Sequence, residues 1–326
     1  MPVVVMEKKM TSRSLVDPEL LPFLDAWPAV LLSDDILALV RARVLPLSET
    51  PQDGVTIERR RVPGPAGDPD VDLHLYRPSG DAPSSPSACI YHIHGGGFVT
   101  GKASDFEVIC RQLVTALGCV VVAVDYRLAP ETPYPGSIDD CYAGLVWVHE
   151  NAAPLGLDVN RIGVMGESAG GGLAAALALL ARDRGGPALT FQCLSYPMLD
   201  DRTCLNDTPH PYAGEFIWPQ HNNHFGWRAL LGCDPGAADV AHYAAPARAT
   251  DLSGLPTTYI MTGALDLFLE EDVEYARRHW RAGVSCELHV YPGAFHGFDF
   301  APDARIAIQA RADRLAFLEN MIGVAS

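Results

Sequence analysis

The chain has 326 residues, 48% hydrophobic and 20% charged, which is enough apolar content to bury a large core and excludes a disordered chain. Against 24 basic residues stand 40 acidic ones, for a formal net charge of −16. That field repels polyphosphates and argues against a nucleic-acid partner, while serving the solubility of a globular protein.

At the N-terminus Val3 to Val5 are followed by Glu7, Lys8 and Lys9, too short an apolar run for a signal peptide. Two helices are expected next. Asp17-Pro18 reads as a cap with proline at the first helical position, leading Leu20, Leu21 and Leu24, and Ser33-Asp34-Asp35 opens a second helix with Ile36, Leu37, Leu39 and Val40. Residues 1–48 are therefore taken as the N-terminal, helical part of a cap. From Val55 the pattern alternates, in 56–59 and 71–76, as antiparallel strands do, and the turn-rich stretch 78–86 closes that pair.

Apolar strands then alternate with helical segments. Strands are expected at 88–94, 119–125, 161–166, 190–196, 257–262 and 286–291, and helices at about 105–117, 137–150, 169–183, 267–282 and 303–322. Continuous apolar strands separated by helices imply an α/β fold with a mostly parallel sheet covered on both faces. Residues 49–201 and 233–326 form that core. Between them 202–232 breaks the alternation with Phe216, Trp218, Phe225 and Trp227, and reads as a cap insertion packing with the N-terminal helices. The richest apolar run, Leu173 to Ala181, is about half a membrane span. Eight cysteines without a C-x-x-C pair indicate neither zinc nor a disulfide framework, and several lie in apolar runs such as Ala88-Cys89-Ile90. The expectation is a reduced, cytoplasmic protein without membrane contact, in which the sequon Asn206-Asp207-Thr208 has no role.

Gly166-Glu167-Ser168-Ala169-Gly170 falls between an expected strand and a small-residue helix. In that setting the two glycines permit a sharp turn that lifts the serine hydroxyl clear of the sheet as a nucleophile. Upstream, His94-Gly95-Gly96-Gly97 ends another strand. The amides of Gly95 and Gly96, with that of Ala169, can form an oxyanion hole for the negative charge of acyl transfer. Two rival readings weaken on inspection. The near P-loop at 96–102 has Ala103 where magnesium needs Ser or Thr, and His92 with His94 lacks a third metal ligand, so no cofactor and no metal are expected.

The remaining partners should follow as an acid and then a histidine. Asp266 stands just past the strand 257–262, at the same edge of the sheet as the serine, whereas Glu270, Glu271 and Asp272 fall on the first turn of the next helix, where carboxylates offset the helix dipole. His296 lies in the glycine-flanked loop after the strand 286–291, and His289 lies within that strand. Ser168, Asp266 and His296 are thus the expected triad: His296 as the base, Asp266 fixing its tautomer. Phe98, Phe216, Trp218 and Phe225 are candidates to line the substrate pocket or to pack inside the cap.

At these residues the chain resembles the hormone-sensitive-lipase family, the bacterial family IV esterases of the α/β-hydrolase fold. The carriers are His94-Gly95-Gly96-Gly97-Phe98, the run Asp125 to Glu131, Gly166 to Gly171, Asp266, and Phe295-His296-Gly297-Phe298, over about residues 50–322. Glu167 stands where the family often has Asp or Thr, and Glu270 where it usually has Asp. The resemblance implies hydrolysis of small acyl esters, no cofactor, and often a homodimer formed by the last strand. An amidase or deacylase with the same triad, and a non-catalytic ligand-binding member of the fold, are the alternatives.

Overall fold

The computed structural model describes residues 12–27, 29–42, 54–80, 85–205 and 208–323. The N-terminal run before residue 12, the expected boundary at residues 48 and 49, and Asn206 and Asp207 of the sequon lie outside them.

Eight strands form one sheet: β1 (Val55–Val62), β2 (Val71–Pro78), β3 (Ser87–Ile93), β4 (Val120–Asp125), β5 (Leu157–Glu167), β6 (Phe191–Ser195), β7 (Thr257–Gly263) and β8 (Cys286–Tyr291). Their order is β1-β2-β4-β3-β5-β6-β7-β8; β2 pairs antiparallel with β1 and β4, and every later pairing is parallel. This is the α/β-hydrolase arrangement expected from the sequence. Among the described residues eight α-helices accompany it: α1 (Leu21–Ala26), α2 (Asp34–Arg41), α3 (Glu107–Leu117), α4 (Gly136–Glu150), α5 (Ala169–Asp183), α6 (Gln220–Leu231), α7 (Leu269–Arg281) and α8 (Arg305–Ile322).

Alternate strand residues feed two separate apolar layers, because successive side chains leave opposite faces of a strand. Tyr91, Val122, Val164 and Leu194 join α4, α5 and α7 on one face. Ile90, Val121, Met165 and Cys193 join α3 and α8 on the other. That double burial is why these strands read as unbroken apolar runs. The apolar run 173–181 is the middle of α5, buried along nearly its whole length, and its Ala and Gly content lets it lie close against β5, β6 and α4. Among the described residues no helix is long and apolar enough to cross a membrane.

One strand differs from expectation. β5 starts at Leu157 rather than Arg161, because Leu157 pairs with Ser87 across a register shift before the buried portion begins. Residues 158–161, between Leu157 and the buried portion, are exposed or only partly buried, so hydropathy does not mark the start of the strand.

The cap pieces meet above the strand ends. Asn222 on α6 accepts from the amide of Leu32 at 2.9 Å and donates to the carbonyl of Val30 at 2.8 Å, and the His221 ring bonds the carbonyl of Leu32 at 2.9 Å. Arg41 at the end of α2 donates to the carbonyls of Val99 and Ala129 and forms a two-pronged ion pair with Glu131. These contacts hold segments nearly two hundred residues apart over one edge of the sheet.

Candidate active site

β5 delivers Ser168 to that edge. The serine sits between the end of β5 and the start of α5 with φ 56° and ψ −122°, a conformation that costs a non-glycine residue about 1–3 kcal/mol. The surroundings enforce it. The Ser168 amide donates to the carbonyl of Ser195 at 2.9 Å, and its own carbonyl accepts from Met198 and Gly172 at 3.0 Å each. Gly170 allows the close approach on which the turn depends, since a Cβ there would stand 2.1 Å from the carbonyl oxygen of Ile93.

β7 and β8 bring Asp266 and His296 to the same edge. The three side chains are 7% exposed or less. The imidazole Nδ1 lies 2.8 Å from Asp266 Oδ2, and Nε2 lies 2.9 Å from Ser168 Oγ. An ionised carboxylate only accepts, so Nδ1 carries the proton and Nε2 is left to accept from the serine hydroxyl. The other oxygen of Asp266 accepts from the amide of Phe268 at 3.0 Å, which fixes the carboxylate plane. Phe268 and Tyr196 meet the His296 ring edge-on, with centroids at 5.2 and 4.8 Å.

The acids competing with Asp266 do other things. Glu270 is exposed. Glu271 is buried, accepts from the amide of Leu199 at 2.7 Å and from the Thr203 hydroxyl, and so pins the chain after β6. Asp272 is fully buried, with the Thr262 hydroxyl as the donor beside it and no cation paired with it among the described residues. Burial pushes both carboxyls well above their ordinary values. The expectation that these acids merely offset the helix dipole therefore needs correction: two of the three turn inward, away from solvent.

Gly95 to Gly97 continue β3 beside the elbow. Among the described residues the amides of Gly95, Gly96 and Ala169 have no hydrogen-bond acceptor, which leaves three donors free at the nucleophile. Gly96, at φ 126°, has a backbone conformation that a side chain would strain. His94 braces this turn. Its Nδ1 donates to the carbonyl of Gly95 at 2.8 Å and its ring stacks on Tyr126 at 4.2 Å. Burial pushes its pKa down to about 4, so the ring is neutral and acts through shape and one proton.

His92 meets Glu167: Nε2 and Oε2 are 2.9 Å apart, with both side chains buried. Burial alone would push His92 down, but the carboxylate beside it holds the imidazole up at about 10; burial would raise Glu167, and His92 holds it below its ordinary value. The pair is ionised at neutral pH. Among the described residues no group of three or more His, Cys, Asp or Glu is arranged to hold a metal ion.

A cavity of about 230 Å³ opens over Ser168 and His296. Of the four aromatics expected at its walls, the structure puts only Trp218 there, with its indole lying over Gly97 and its ring 6.5 Å from that of His296. The other three are corrections. Phe98 is buried against Trp227, Phe216 packs on Phe295, and Phe225 faces away with α2 and Val99. All three stabilise the cap instead, as a large aromatic does wherever neighbours can enclose it. Phe23, Trp27 and Tyr196 line the cavity without having been singled out from sequence. Tyr196 directly follows β6 at the same sheet edge as Asp266, so the strand-end rule could have found it. The positions of Phe23 and Trp27 depend on how the cap lies.

A family model described as the alpha/beta hydrolase fold matches residues 90–300. The carboxylesterase NlhH of Mycobacterium tuberculosis is 36% identical over 326 residues, covering 97% of this chain and 99% of that protein. Esterase LipI of the same organism is 36% identical, covering 87% and 88%. Among solved structures, a bacterial heroin esterase is 38% identical with a TM-score of 0.86, covering 95% of this chain and 98% of its own.

Proposed function

The chain belongs to the α/β-hydrolase fold family, among its hormone-sensitive-lipase-like esterases, and we propose that it is a serine carboxylesterase for short acyl esters with Ser168, Asp266 and His296 as its triad. One observation carries the reading: the unbroken hydrogen-bond chain from Asp266 Oδ2 through both nitrogens of His296 to Ser168 Oγ.

In this reading an ester enters with its carbonyl oxygen toward the free amides of Gly95, Gly96 and Ala169. His296 takes the proton of Ser168 as Oγ attacks the carbonyl carbon, and Asp266 stabilises the imidazolium. The oxygen becomes an oxyanion held by donors already in place, which is where most of the rate arises. Collapse expels the alcohol, protonated by His296, and leaves an acyl group on Ser168. Water, activated by the same imidazole, then releases the acid and restores the serine. A cavity of about 230 Å³ suits a short acyl chain and supports a preference for acetyl to hexanoyl esters.

A reducing, cytoplasmic setting belongs to the same reading. Its support is seven cysteines among the described residues that remain free thiols, five of them buried. Pairing of two copies through β8 is supported by that strand's place at the sheet edge and by the exposure of Val290 on it. The deciding experiment is fluorophosphonate labelling beside a series of p-nitrophenyl esters of increasing chain length. Labelling at Ser168 with turnover highest below octanoate supports the assignment. Absence of labelling, or a maximum at palmitate, refutes the enzyme or its acyl range respectively.

A further inference from the structure

Apart from the triad, three acidic or basic side chains among the described residues reach the cavity: Arg41, Glu167 and Asp105. Two of them are already engaged. The Arg41 guanidinium is used up on Glu131 and on the carbonyls of Val99 and Ala129, and Glu167 faces His92.

Asp105 is different. It lies in the short 3-10 turn Ala103–Phe106 before α3, and its side chain is 16% exposed. The donor beside its carboxylate is the backbone amide of Lys102, and among the described residues no side chain donates a hydrogen bond to it. The nearest cation is Lys102 Nζ at 3.9 Å, beyond hydrogen-bond reach; Lys102 is 61% exposed and is not part of the cavity wall. Burial pushes the Asp105 carboxyl above its ordinary value, and Lys102 only partly offsets this. A half-buried carboxylate short of donors gains from any cation brought to it.

The rest of the wall favours the same kind of guest. Phe23, Trp27, Phe106, Trp218 and Phe300 surround the cavity, and aromatic faces attract alkylated ammonium groups while giving little to an anion. The net charge of −16 also draws cations toward the protein and repels anionic esters.

We propose that Asp105 is a specificity-determining residue that makes the cavity select esters carrying an ammonium group, held between its carboxylate and the aromatic wall. This rests on the carboxylesterase reading and adds the substrate class.

The test compares two pairs of isosteric esters. In one pair the alcohol portion ends in trimethylammonium or in tert-butyl, both as acetates. In the other the same two groups end the acyl portion of an activated ester, with spontaneous hydrolysis subtracted. The wild-type enzyme should prefer the cationic member of at least one pair by about tenfold in kcat/KM. Asp105→Asn should lower that ratio about tenfold, and Lys102→Ala should raise it by removing the competing cation. Equal rates for both members of both pairs, a preference that survives Asp105→Asn, or a fall with Lys102→Ala would overturn the inference while leaving the esterase standing. If the neutral esters are not hydrolysed either, the esterase reading fails and takes this inference with it.

Discussion

Replacing His92 by leucine tests how far the nucleophile elbow depends on a charge pair buried beneath it. His92 lies on β3 two residues before the His94 brace, and Glu167 is the residue immediately before Ser168, so the pair ties the oxyanion strand to the nucleophile strand at 2.9 Å. Without the imidazolium, the Glu167 carboxylate stays in the interior with more distant help from the Arg314 guanidinium. Breaking a buried pair by removing one partner costs about 3–5 kcal/mol. At an unfolding entropy of about 2.1 cal/mol/K per residue, a chain of 326 residues loses about 1.5 °C of Tm per kcal/mol, so the fall should be about 4–7 °C. The sign with pH follows from the direction of each shift. His92 is held up at about 10, so its contribution is complete below the ordinary histidine value of about 6.5 and is lost as pH rises through 10. Glu167 is held below 4.5, so its contribution is complete above that value and is lost as pH falls through the lowered one. Calorimetry from pH 5 to 10 should therefore show wild-type Tm declining on the alkaline side in a way the leucine variant does not. The double variant His92→Leu with Glu167→Gln should recover most of the loss, because no uncompensated charge remains. A double variant as unstable as the single one, or unchanged alkaline behaviour, would refute the argument from charge.

Three further outcomes are expected. Ser168→Ala should abolish fluorophosphonate labelling and lower kcat by at least about a thousandfold without lowering Tm; Asp266→Asn should cost about ten-thousandfold, whereas exposed Glu270→Gln should stay within about twofold, all read from p-nitrophenyl acetate turnover. Trp218→Ala removes the indole over Gly97, and the chain-length series should shift its maximum toward longer acyl groups by up to about fourfold per methylene accommodated, as a burial gain of about 0.8 kcal/mol allows; an unmoved maximum would mean another wall limits the acyl chain. Asp272→Asn should stabilise the protein above the ordinary carboxyl range: burial raises the folded pKa above that of the unfolded chain, so wild-type stability falls as pH rises from about 4, and urea titrations at pH 5 and 8 should show the variant's advantage growing with pH, whereas a constant difference would refute it.

Most of the sheet was legible because its determinants are local. An apolar run such as Cys119 to Val124 is buried on both faces, and composition alone marks it. The meeting of Ser168, Asp266 and His296 was legible for a related reason: Ser168 directly follows β5, Asp266 and His296 lie within five residues of the ends of β7 and β8, and strand ends on one edge of a parallel sheet converge. The oxyanion glycines carried a signal of their own, since three in succession permit an approach that any side chain would obstruct.

The pocket walls were not legible. Phe216, Trp218 and Phe225 are large aromatics from one ten-residue stretch, yet of the three only Trp218 faces the cavity. Which aromatic points inward depends on how α6 leans against residues 30–32, through bonds made by Asn222 and His221 across nearly two hundred residues. The same holds for charge. Nothing local separates Glu270, which is exposed, from Asp272, which is fully buried, or Glu167 paired with His92 from Asp105 at the cavity wall. The sheet, and the edge at which Ser168, Asp266 and His296 meet, could be read from the chain because each follows from residues that are neighbours along it. Tertiary structure decided the pocket's shape and which acids keep their charge, because desolvation and packing are set by atoms that approach only once the chain has closed.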